Sequence, residues 1–220
     1  MASATGIQRI LIWSKWQRVA HWVIALSGLA LFASGWLIDK APIIADATID
    51  IHLLLAPVFT LGLLLRILLL FTDKGNASLK ALTPDPQWQK IGEMLRFYLS
   101  FGRMPLPRWY AHNPLWAPIY IFIIALLLLQ AVSGFVQGNM PILAGIYLPS
   151  LHGILADILF TIMLLHILAV VLHDLKGNSA EISAMINGHK FFVPGEGESS
   201  PAIDPVPNIS ISEIGREKKK

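Results

Sequence analysis

Cysteine is absent from all 220 residues. That excludes disulfides, thiolate-held iron–sulfur clusters and the CxxCH attachment of a c-type haem. Charge is the second scarcity. Only 14% of residues are Asp, Glu, Lys or Arg, against 55% hydrophobic ones. A water-soluble domain cannot hide that much apolar surface, so the chain reads as an all-α membrane protein. The net charge of +3 is small, and nothing in its distribution points to nucleic acid as a partner. A cleavable signal peptide is not expected, because the first apolar run is long enough to remain in the membrane. No internal repeat is evident.

What the chain does have is long apolar runs. Four spans are expected at about 18–38, 51–71, 115–137 and 151–173. Residues 1–17 read as an amphipathic, interfacial lead-in carrying Arg9, Trp13, Lys15 and Trp16. Asp39 to Asp50 reads as a short loop. Pro57 lies inside span two, where it frees a backbone carbonyl and favours a kink. Thr72 to His112 is a long basic connection. Within it, residues 86–101 have helical periodicity and are expected to lie on the membrane surface as an amphipathic helix. Asn113-Pro114 is a helix-start signal. Residues 18–174 thus form one four-helix transmembrane domain. Residues 175–220 form a juxtamembrane segment and a tail, rich in Gly, Pro, Ser and Glu after Lys190, whose composition predicts flexibility.

Of the 17 Lys and Arg residues, all but Lys40 fall at one end of this bundle. The positive-inside rule then places both termini in the cytoplasm of a bacterial inner membrane. Against this topology the histidines sort by depth. His52 and His152 lie near the periplasmic end of spans two and four. His21 and His166 lie towards the cytoplasmic end of spans one and four. His152 and His166 are fourteen residues apart, about four turns and roughly 21 Å of helix rise, so both face nearly the same side. Two depth-matched histidine pairs in an apolar bundle point to two bis-histidine haems b, and a saturated iron suits electron transfer. Gly35, fourteen residues after His21, provides space for a flat ring. Arg18 and Arg66 sit where they could pair with haem propionates or snorkel to headgroups. Trp22, His173 and Asp174, with Trp13, Lys15 and Trp16 nearby, are candidates to line a quinone pocket; a solvated helix end is the other reading of His173.

Several segments resemble the bacterial cytochrome b561 superfamily, and within it the b-type cytochrome subunits of nickel-iron hydrogenases. They are RVAHW at 18–22, His52 with Arg66 fourteen residues later, AHNPLW at 111–116, LLLQAVSG at 127–134, the paired histidines of the last span, and MINGHK at 185–190. The resemblance runs from about Trp13 to Lys190. It departs at Ala56–Pro57, where relatives carry Gly and an aromatic, and at Ser14–Lys15, where they carry an acidic residue and proline. It implies two haems b on residues matching His21, His52, His152 and His166. It also implies electron exchange between quinone and a periplasmic redox partner, a hydrogenase, another dehydrogenase or a c-type cytochrome. Two other readings stay open. One is a stand-alone quinol oxidase reducing oxygen. The other is a histidine-based metal transporter, which would need polar residues continuing through the bilayer centre; spans one and three lack them.

Overall fold

The structure is a computed structural model and describes residues 8–83, 88–177 and 181–192. Residues 9–191 form one compact unit. The chain ends, 1–8 with 192–220, form a second that lies almost wholly outside the described residues, and with it most of the expected flexible tail.

The described residues begin with a strand, β1 (Gln8–Leu11), inside the segment read as an interfacial lead-in. Helix α1 (Lys15–Lys40) follows, capped by Ser14, whose hydroxyl accepts from the Gln17 amide. The connection expected between Asp39 and Asp50 is mostly helical. After α1 comes a 3-10 turn, Pro42–Ile44, and α2 then runs from Ala45 to Thr72. Acidic residues here mark the approach to water and not the end of a helix. Asp46 sits in the first turn of α2, where it complements the helix dipole. Pro57 lies within α2 without ending it.

A single turn, α3 (Leu79–Leu82), and α4 (Trp88–Leu99) follow. α4 buries Met94 and Phe97 and exposes Trp88, Leu95 and Leu99. Asn113 starts a turn and not the helix proper. Its side chain accepts from the Leu115 amide, and α5 runs from Ala117 to Gln137. The uncharged link after it is a small hairpin, β2 (Ile142–Leu143) paired antiparallel with β3 (Ile146–Tyr147). It turns on Ala144 and Gly145, both with positive φ. Helix α6 spans Leu148–Lys176.

The segment expected to be a plain juxtamembrane stretch folds back as α7 (Glu181–Asn187) and β4 (His189–Phe192), and β4 pairs with β1. Asp174 caps α7 by accepting from the Glu181 and Ile182 amides. Gly188, at φ +89°, brings its carbonyl to the amides of Ile12 and Trp13 at 2.8 and 3.0 Å. Lys190 is buried against Glu181, Nζ to Oε1 2.6 Å, with the ammonium 5.5 Å from the Trp109 ring centre.

α1, α2, α5 and α6 are each long and apolar enough to cross a membrane. Their large side chains point mostly outward, Leu26, Leu54, Leu61, Phe122 and Leu168 among them. Such an exterior suits lipid and not water. Packing is closest along α1 against α2 and along α5 against α6. Gly62 allows the first contact: a β-carbon there would stand 2.7 Å from Cγ1 of Val23, a stiff branched side chain. Gly62→Ala is therefore expected to destabilise the bundle by about 1–3 kcal/mol, seen as a lower thermal midpoint in detergent. An unchanged midpoint would mean that α1 yields at this crossing.

Candidate functional site

The two tight helix pairs leave a wider seam between α6 and the α1–α2 pair. Backbones on the two sides of the seam come within 8 Å only at isolated points. The histidines meet across this seam in two layers. In one, His52 of α2 faces His152 of α6 with ring centres 6.4 Å apart. In the other, His21 of α1 faces His166 of α6 at 6.3 Å. Between them in sequence depth, Phe32 of α1 meets Phe160 of α6 edge to face, centres 5.5 Å apart. Among the described residues no three His, Cys, Asp or Glu side chains converge on a metal-sized site; the histidines meet strictly in twos.

The separation has a chemical meaning. A metal-bound imidazole nitrogen lies about 2 Å from the metal. The ring centre is roughly 1 Å further out, so two imidazoles on opposite sides of one iron have centres about 6 Å apart. Both pairs stand at this distance. The widened seam gives a flat ring somewhere to lie.

The surroundings of the layers differ. Ser34 Oγ is 2.8 Å from His52 Nδ1 and Ser133 Oγ is 3.1 Å from His152 Nδ1. Both serines are buried. Gln130 Nε2 is 3.2 Å from His152 Nε2. Gly35 lies beside His52, where a β-carbon would be 3.7 Å from Cε1. Gly134 lies tighter against His152, with 2.8 Å between such a β-carbon and Cε1. Among the described residues, His21 and His166 have no hydrogen-bond partner at either ring nitrogen. His21 stacks edge-on with Trp22, centres 5.4 Å apart.

Most of the remaining residues singled out from the sequence have protein partners. Arg18 donates from Nη1 to the Ile186 carbonyl, while its buried Nε has no hydrogen-bond partner. Arg66 donates to the Ala77 carbonyl at 2.9 Å. Trp22 donates to the Met185 carbonyl at 3.1 Å. Trp22 and Asp174 thus fasten α7 to the bundle. Trp13 packs edge-on against His112, centres 5.1 Å apart. Lys15 and Trp16 are exposed. His173 is buried, with Nε2 2.9 Å from the Tyr98 hydroxyl. That oxygen accepts from Asn113 Nδ2 and Trp116 Nε1, so its own proton points to His173.

Sequence reasoning passed over Ser34, Ser133, Gly134 and Tyr98. A signal was there for the first three: Ser-Gly occurs at 34–35 in span one and at 133–134 in span three, opposite the two histidines it contacts. Tyr98 carries no such mark, because its partner is 75 residues away.

A bundle with a lipid-facing exterior and inward histidine pairs spaced for axial ligation defines a membrane b-type cytochrome. The sequence model of the prokaryotic cytochrome b561 family matches residues 12–188, and the chain belongs to that family. It is accordingly a haem-binding membrane protein of electron transport. A relative from Cupriavidus necator, a probable Ni/Fe-hydrogenase B-type cytochrome subunit, is 24% identical over 87% of this chain and 91% of its own length. No solved structure matches.

Two outcomes follow from this geometry. Gly134→Ala forces the His152 ring aside at a cost of about 1–3 kcal/mol, so haem bound per chain should fall in the reduced-minus-oxidised spectrum. Gly138→Ala, where a β-carbon meets nothing within 4 Å, is the control; equal loss in both variants would refute the steric cause. The second outcome concerns pH. Burial, then Arg66 and Lys190, push the His112 imidazole down to about 4 from its ordinary 6.5. The unfolded chain therefore binds a proton that the folded chain refuses between these values. Stability supplied by His112 is whole above pH 6.5 and lost as pH falls towards 4, by roughly 3 kcal/mol at most. Thermal midpoints measured across this window should fall less steeply in His112→Phe than in the native chain.

Proposed function

We propose that this chain is the membrane electron-transfer subunit of an oxidoreductase assembly, holding two haems b. In this reading His52 and His152 hold one haem and His21 and His166 the other. Electrons pass between quinone and a periplasmic redox partner, a hydrogenase, another dehydrogenase or a c-type cytochrome. The observation that carries the reading is the matched separation of the two histidine pairs, 6.3 and 6.4 Å between ring centres. Bound haem b supplies a one-electron couple. The four imidazoles would hold the two groups, with Phe32 and Phe160 packed between the layers, and the fourteen-residue rise of α6 would set the layers about 21 Å apart.

The orphaned Nε of Arg18 supports this residue as a propionate partner, with Nη1 already held by the chain. Arg66 is the second candidate. His173 and Tyr98 are proposed to exchange protons with quinone, being joined by one hydrogen bond beyond the His21–His166 layer. Trp22 and Asp174 would shape that end indirectly, through α7. The lysines and arginines gathered there support a cytoplasmic position for this end in a bacterial inner membrane, with α4 lying along the surface. A bis-histidine iron offers no free coordination position to oxygen, which puts the quinol oxidase second.

The test is the visible spectrum of the protein purified in mild detergent, with a haem-to-protein ratio. Two low-spin haems b per chain, insensitive to carbon monoxide, are expected. His52→Ala and His21→Ala should each remove one, and not the same one. Absence of haem would sink the reading, and a single haem would show that one pair does not ligate.

A further inference from the structure

Protons can be counted around the His52–His152 layer. Ser34 donates its hydroxyl proton to the Leu31 carbonyl at 3.0 Å. Its oxygen is then an acceptor towards His52 Nδ1, 2.8 Å away. Ser133 repeats the arrangement on α5: its proton goes to the Gln130 carbonyl at 3.0 Å, and its oxygen faces His152 Nδ1 at 3.1 Å. Each serine therefore takes a hydrogen bond from an Nδ1–H, sharing it with the backbone carbonyl of Leu31 or Gln130. That leaves each Nε2 with a lone pair, the form an imidazole needs to bind a metal. On His152 the Gln130 amide donates to that lone pair and would have to release it to a metal. The serines are 4% and 2% exposed, so water does not compete for these contacts.

From this we infer that Ser34 and Ser133 are positioning residues that fix the tautomer of His52 and His152 and hold the potential of the haem in that layer below that of its neighbour. The inference rests on the two-haem reading above. Its physical basis is that a hydrogen bond accepted from Nδ1–H makes an imidazole a stronger electron donor, which stabilises ferric over ferrous iron. The His21–His166 layer has no such acceptor among the described residues. The serines lower the potential of the His52–His152 layer from what its ligands alone would give, which favours a downhill direction towards His21 and His166.

The experiment is a redox titration of the purified, haem-loaded full chain, native and with Ser34→Ala, Ser133→Ala, Ser34→Thr and Ser133→Thr. With two haems in the native protein, each alanine variant should raise the lower of the two midpoint potentials and leave the higher in place. The threonine variants keep a hydroxyl and should return it towards the native value. Unchanged potentials, or equal movement of both, would overturn the inference while leaving the two-haem reading intact. A native chain without two haems would instead overturn that reading, and the inference with it. The serines are tested separately, so haem loss from one alanine variant leaves the other to decide.

Discussion

An imidazole placed in hydrocarbon must engage its nitrogens, because a buried polar atom without a partner costs more than most single packing contacts return. The interior of this bundle meets that requirement in one layer and leaves it open in the other. Four histidines point inward and face one another in pairs beside α6; His52 and His152 have serine partners, while His21 and His166 have none among the described residues. The helices that bring them there pack tightly in pairs, and small residues do the bringing: Gly62 lets α1 lie on α2, while Gly35 and Gly134 leave flat faces for the rings of His52 and His152. The close contacts are therefore within each helix pair. The loose one is where the histidines face each other.

The two ends of the bundle are built differently. One closes with a 3-10 turn and a six-residue hairpin. The other gathers β1, the connection from Asp73 to Trp116, α7 and β4, held by Arg18, Trp22, Arg66 and Asp174. Its interior contains a buried polar network, His173 with Tyr98, Asn113 and Trp116, and beside it the Lys190–Glu181 pair. Burial pushes the Lys190 ammonium below its usual range against the pull of Glu181. Such a pair adds little net stability, but it fixes one register for the segment that carries it.

The parts of this molecule that could be read from sequence are those with a local signature. Hydropathy located the spans, and the fourteen-residue interval in α6 located the two histidine depths. Helix ends were less legible. Asp39 and Lys40 close α1, but Asp46 and Asp50 lie inside α2, which begins well before the apolar run because peptide hydrogen bonding does not stop at the lipid boundary. The β1–β4 pairing joins residues about 180 positions apart and leaves no periodic trace in either segment. Arg18, Trp22 and Asp174 looked available for a ligand; their bonds to α7 became visible only once α7 itself was in place. Ser34 and Ser133 were hidden for a related reason. A buried serine in an apolar span is ordinary until the ring nitrogen opposite it is known.

The pairing of β1 with β4 also sets an order of events during synthesis. β1 is among the first described residues to leave the ribosome and β4 is the last element to follow. The β1–β4 sheet cannot form until all four spans have been made, whereas the hairpin at the opposite end, and the Ser133–His152 contact next to it, are complete once α6 has begun. The sheet therefore closes only after every span it rests on has been made, about 180 residues after β1.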